Sequence, residues 1–179
     1  MLRRSRLILP WAWARRRLRS SEAAFILLAV LVGGAAGLGS VLLGAAARTL
    51  QHWLFALPNA ARLSAIPALS IISLIALPVG GVVLALFSWA TRARKRRMID
   101  AVEANALHGG RLSMADSLVI SGQTVLSNGF GASVGLEAAY AQIGGALASV
   151  AGSALRLRRG DVRNLVGAGA GAARWPKST

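Results

Sequence analysis

The chain contains no cysteine, which removes disulfide frameworks, thiol catalysis and thiolate metal sites together. Histidine is almost as scarce. His52 and His108 stand alone and far apart, so a histidine-based metal motif is not expected. Acidic residues number 6 against 21 Lys and Arg, for a formal net charge of +15 and a pI near 12.0. Charge of either sign is sparse overall, at 15% of residues, where soluble domains carry about 25%. What fills the chain instead is apolar: 55% of residues are hydrophobic and the mean hydropathy is +0.55. A chain this apolar buries enough surface to offset its ordering entropy, so intrinsic disorder is excluded. The basic balance alone would suit a nucleic-acid binder, but the basic residues lie between apolar runs rather than on them. Nucleic acid is therefore not an expected partner; the lipid bilayer is.

The first 21 residues hold Arg3, Arg4, Arg6, Arg15, Arg16, Arg17 and Arg19 and no acid. A transit peptide is Arg-rich and acid-poor in the same way, and Arg3-Arg4 ahead of Leu7-Ile8-Leu9 has the look of a twin-arginine signal. The next apolar run is too long for a signal core and lacks a clear cleavage site. The segment 1–21 is expected to be a retained cytoplasmic tail, by the positive-inside tendency, with Trp11 and Trp13 at headgroup level.

Ala23 to Ala47 carries no charge and is long enough to cross a hydrocarbon core of about 30 Å with tilt. Gly33 and Gly37 make a small-xxx-small pair that invites a second helix. The run stops at Arg48. After a short connection through Gln51, His52, Trp53, Asn59 and Arg62, a second uncharged run extends from Leu63 to Thr91, interrupted by Pro67 and Pro78. Because proline ends or kinks a helix, the spanning part is placed at Ala68 to Trp89. A strongly basic flank comes next: Arg92, Arg94, Lys95, Arg96 and Arg97. Basic, poor, basic across two spans predicts the N-terminus inside, residues 48–62 outside and residues 92–116 inside. The basic flank is read as fixing topology, with anionic lipid as a second use.

Beyond residue 116 the pattern loosens. Leu118 to Leu126 reads as an apolar helix, whereas Asn128-Gly129-Phe130-Gly131-Ala132-Ser133-Val134-Gly135 has no helical logic and high backbone freedom. Glu137 then opens an uncharged, Ala- and Gly-rich stretch from Ala138 to Leu155, with Tyr140 and Gln142 as its polar groups. A basic turn, 156–163, precedes a small-residue run from Leu165 to Ala173. Two Gly-interrupted helices with irregular backbone between them are tolerated in a membrane only where protein or a water-filled cavity surrounds the break. Transporters use such breaks to aim free helix starts at an ion.

Glu137 is the leading candidate residue. A carboxylate between uncharged runs is costly to bury and marks a functional site by default. In the first turn of a helix it competes with an anion for the same backbone N–H groups; the plainer reading is a carboxylate that caps its own helix or snorkels to an interface. Gly129 to Gly135 is one residue too long for a dinucleotide fingerprint and comes after no strand; close helix packing is its other reading. Lys177-Ser178 lacks the glycines of a phosphate loop. His108 falls in an expected cytoplasmic loop. With no Ser/His/Asp set and no close carboxylate pair, an enzyme is not expected, and no cofactor is implied.

Gly135-Leu136-Glu137-Ala138-Ala139-Tyr140-Ala141-Gln142-Ile143-Gly144 resembles the signature of the ClC chloride channels and transporters, G-[KR]-E-G-P followed by x-x-Q-I-G. Val102 to Arg111 resembles the stretch before that signature, and Arg159 to Ala170 the segment after its glutamate-bearing helix. The likeness extends over roughly residues 24–173. It implies an all-α, multi-pass membrane protein of the cell membrane with broken, re-entrant helices and a homodimer with one anion pathway per subunit. It further implies that Glu137 is the gating glutamate and that the backbone amides of Leu136, Glu137 and Ala138 line an anion site for chloride or another small anion.

The departures from that pattern carry their own expectations. Ala138 and Ala139 stand where the family has Gly and Pro, and Leu136 where it has a basic residue. The family's G-S-G-I-P motif aligns with Lys95-Arg96-Arg97-Met98-Ile99, which puts Arg96 at the serine; no serine ligand is carried over, and Arg96 is assigned an electrostatic attraction for anions. The second inverted half of the family is not present after the glutamate helix, and Arg174-Trp175-Pro176-Lys177 diverges from it. The sequence thus predicts a partial ClC domain over 22–173, with helices near 23–47, 68–91, 99–108, 113–126, 137–155 and 161–173, and a divergent tail at 174–179. Its expected function is anion transport as part of a ClC-type protein; the alternative is a truncated, non-conducting membrane protein that only packs with other helices.

Overall fold

The computed structural model describes residues 22–55, 71–92, 98–132 and 134–173. The expected tail at 1–21, the basic run at 93–97, the connection at 56–70 and the tail at 174–179 lie outside them. The described elements are all helical: α1 (Glu22–Phe55), α2 (Ile71–Arg92), α3 (Ala101–Leu107), α4 (Met114–Gly129), α5 (Glu137–Ala154) and α6 (Arg159–Ala173).

α1 is longer than its apolar run. Its 34 residues extend roughly 50 Å at the helical rise, well beyond the hydrocarbon thickness of about 30 Å. Arg48, expected to end it, sits exposed on the helix surface, and the backbone continues helical to Phe55. A charge ends a hydrophobic run, but only lost backbone hydrogen bonding ends a helix. Glu22 in the first turn suits the positive end of its dipole.

α1 turns its small side chains inward. Val32, Ala36, Ser40, Gly44 and Ala47 form a buried stripe at near four-residue spacing, while Ile26, Leu27, Leu38 and Leu42 are exposed and Leu31 is 63% exposed. This arrangement fits a lipid surround: lipid tails solvate leucine as well as protein does, so tight packing selects small residues instead. Both α1 and α2 are long and apolar enough to cross a membrane.

α2 passes through Pro78 without ending. It leans mainly on α4, where Gly80 is pressed against Phe130 so closely that a Cβ would collide with the ring, and Gln123 Nε2 of α4 donates to Ser88 Oγ at 3.2 Å. Its other faces leave Leu74, Val82, Leu86 and Trp89 exposed.

α3 is short and well capped: the Asp100 carboxylate accepts from the Glu103 N–H at 2.6 Å, the side-chain-to-backbone bond of a helix start. It ends through two left-handed glycines, Gly109 (φ 63) and Gly110 (φ 77), with the Gly110 N–H returning to the Ala104 carbonyl at 2.9 Å. Ser113 caps α4 in turn, accepting from Asp116 N–H at 3.3 Å.

The centre of the bundle is α5, packed between α1, α4 and α6. Ala139, Gln142, Ile143, Gly144, Gly145, Ala146, Ala148, Ser149 and Gly152 are all buried. Val32, Ala148, Val162, Leu165 and Val166 form the apolar cluster between α1, α5 and α6. The expected close approach at Gly33 and Gly37 is only half present: a Cβ on Gly33 would touch Ala172 at an ordinary 3.5 Å, and Gly37 faces open space. The tight crossing lies between α5 and α6 instead.

Candidate functional site

The site forms where the chain breaks between α4 and α5. α4 persists to Gly129, past the expected end at Leu126, because the Phe130 N–H still reaches the Leu126 carbonyl at 3.0 Å. Gly131 then turns left-handed at φ 91, a conformation that costs glycine little. The Ala132 N–H returns to the Ser127 carbonyl at 3.1 Å.

Asn128 organises the break. Its Nδ2 donates to the Val134 carbonyl at 2.9 Å, bridging the two sides. From the last turns of α1, Gln51 Nε2 donates to the Asn128 carbonyl at 2.9 Å and to its Oδ1 at 3.2 Å. The extra length of α1 therefore has a use: it brings a side chain to the break that an α1 ending at residue 47 would not.

Glu137 is the first residue of α5 and is exposed. Leu136, at the cap position, has helical backbone and supplies no side-chain cap. The first bond of the α5 ladder runs from the Tyr140 N–H to the Leu136 carbonyl at 2.9 Å. The amides ahead of Tyr140 thus lie before that ladder, where a helix start concentrates partial positive charge. Leu136, Glu137 and Ala138 are brought together at this start, as neighbours in one turn. Arg48 of α1 lies within electrostatic reach of Tyr140, one turn further along α5. Arg96 lies outside the described residues.

The helix start is held in place from below. Gln142, 2% exposed, accepts from the Ala101 N–H at 2.8 Å and donates from Nε2 to the Ile99 carbonyl and Ser117 Oγ, each at 3.1 Å. Ser121 Oγ donates to the Ala139 carbonyl at 3.3 Å. Buried amides cost little only when hydrogen-bonded, and this one bonds through both its oxygen and its nitrogen. The result couples the start of α5 to α4 and to the segment 99–101 that enters α3.

Sequence reasoning alone does not find the supporting residues. It marks Asn128 only as part of an irregular break, Arg48 only as the end of an apolar run, and Gln142 as a polar member of α5 and the glutamine of the family signature, without its partners. A polar side chain in an otherwise small and apolar helix is itself a signal, but its partners lie 41 and 43 positions away for Ala101 and Ile99.

No curated protein and no solved structure matches the chain. The family model described as voltage gated chloride channel matches residues 79–173, which takes in most of α2 and all of α3 to α6. That stretch is more than half of the chain and contains the whole break, its Asn128 bridge and the Gln142 anchor. A membrane protein with this helical pattern and this match belongs to the voltage gated chloride channel family.

Proposed function

We propose that this chain contributes one wall of a ClC-type anion pathway, with Glu137 as its gate. One observation carries the reading: the chain places a carboxylate at the first position of a helix that begins without a side-chain cap. The amides of Leu136, Glu137 and Ala138 then serve either the Glu137 carboxylate or a chloride ion. When the carboxylate occupies the place, the anion is excluded; when it is neutralised or swings away, the anion enters.

The protein works in the cell membrane, with its N-terminus on the cytoplasmic side, and Arg96 draws anions toward the pathway. Pairing of two copies accords with the family's homodimeric habit. A second reading is a membrane protein that only packs with other helices; it is favoured by α2, whose contact with the rest is mostly through α4 and whose Trp89 is 74% exposed.

Chloride efflux from liposomes separates the two. The proposal expects efflux once reconstituted copies assemble to complete the pathway, and a changed rate in Glu137→Gln, which removes the charge and keeps the shape. Folded, reconstituted protein that passes no chloride refutes the pathway and leaves the packing role. The orientation is checked by protease access to the N-terminal tail in sealed vesicles.

A further inference from the structure

At the end of the bundle opposite the start of α5, the turn between α3 and α4 meets the turn between α5 and α6. A cleft of about 410 Å³ lies between them, lined by Arg111, Arg156 and Arg159 together with Gly109, Ser153 and Val162 among others; among the described residues no acidic one lines it. Three arginines thus line one concavity, Arg111 from the turn between α3 and α4, and Arg156 and Arg159 from the connection that leads into α6. α6 begins at Arg159, so the positive end of its dipole adds to the same field.

Arg156 makes the arrangement unusual. It is the residue after the C-terminal cap of α5, where the chain turns back and the Leu157 N–H reaches the Gly152 carbonyl at 3.0 Å. Its φ of 51 makes it the non-glycine residue with left-handed backbone among the described ones. Glycine is the residue that suits such a position, yet the chain carries an arginine there, and that arginine lines the cleft. On the facing wall the left-handed Gly109 keeps its backbone near the Arg159 stem: a Cβ there would stand 3.7 Å from Arg159 Cδ.

We propose that this cleft is a binding site for a phosphate group. Guanidinium forks match the paired oxygens of a tetrahedral oxyanion, with charge-assisted hydrogen bonds that a monatomic halide uses poorly. The volume accommodates a phosphate with its substituent, and leaves a lone chloride largely in water. The phosphate comes either from an anionic lipid headgroup or from a soluble phosphate compound.

The test uses the full chain in detergent. Binding of inorganic pyrophosphate is measured by calorimetry, and binding of phosphatidylglycerol against phosphatidylcholine by native mass spectrometry. Arg156→Gly removes one guanidinium and supplies the residue the backbone prefers, so lost binding is not lost folding; Arg159→Gln is the second variant. The proposal expects either probe to bind more tightly than chloride and to weaken by about tenfold or more in each variant, as loss of a charge-assisted bond implies. Retention of phosphatidylglycerol without pyrophosphate binding identifies a headgroup; the converse identifies a soluble ligand. If neither probe binds, if chloride binds as tightly, or if both variants bind as the unaltered chain does, the proposal is overturned.

Discussion

Gly144 and Gly169 meet backbone to backbone where α5 crosses α6. A Cβ on Gly169 would come within 2.6 Å of the Gly144 carbonyl oxygen, and one on Gly144 would run into the Gly169 carbonyl. Neither neighbour is the movable end of a side chain, so the helices themselves must part to admit a methyl group. This crossing sets the separation of the two most closely packed helices in the molecule.

Gly169→Ala should therefore destabilise the fold by about 1–3 kcal/mol, the usual cost of overpacking. Gly171→Ala, two positions along the same helix with open space around it, should instead gain about 0.5–1 kcal/mol from helix propensity. Thermal unfolding in detergent compares them. Equal effects of the two substitutions would count against the crossing as described.

Gln142→Leu keeps the side-chain bulk and removes the amide's hydrogen bonds to Ala101, Ile99 and Ser117. It leaves the Ala101 N–H and the Ile99 carbonyl without that partner, at a cost of about 1–3 kcal/mol per unsatisfied group. Hydrogen exchange should accelerate at Ala101 while α1 keeps its protection. If Ala101 remains protected, Gln142 is not what secures α5 to that segment.

Asn128→Ala should loosen the break between α4 and α5. The Val134 carbonyl and Gln51 both lose side-chain partners, so exchange in residues 130–136 should rise severalfold. Gln51→Ala should do less, because it leaves the bridge from Asn128 to Val134 intact. Chloride efflux in Asn128→Ala should change although Glu137 is untouched; an unchanged rate would show that the gate does not depend on the bridge.

Arg96→Glu and Arg48→Gln both weaken the positive field on the expected anion path. Each should slow chloride entry, more at low ionic strength than at high, because screening shortens the reach of exposed charges. Flux that is indifferent to Arg96→Glu at every salt concentration would remove that residue from the pathway.

Much of the helical plan is written in the spacing of charges. The uncharged runs after residue 22 and before Arg92 mark the two helices that can cross a membrane, and the glycines around residue 131 mark the break. What the charge pattern misplaces is the end of α1, because Arg48 interrupts hydrophobicity without interrupting backbone hydrogen bonding. The inner supports of the site are hidden for a different reason. Gln142, Asn128 and Ser121 act on backbone carbonyls and amides, groups that every residue possesses and that no sequence pattern singles out. Glu137 stands out because a carboxylate among apolar residues is rare, whereas Gln142 is noticed as a polar residue and a signature position, neither of which names the groups it bonds.

The buried stripe of α1 and the inward face of α5 consist largely of alanine, glycine and serine, and the bulky aliphatic groups of α1 point outward. Two separate filters therefore govern which substitutions this protein tolerates. On the inside the filter is size: polarity is acceptable where a carbonyl is near, but an added methyl group meets backbone at Gly144 and crowded side chains at Gly145 and Gly152. On the outside the filter is polarity: leucine, isoleucine, valine and phenylalanine are interchangeable against lipid, but a charge is not. A saturation library would show the reverse of the usual pattern for a water-soluble domain, with the positions most permissive of large apolar residues forming the surface and those demanding the smallest forming the core.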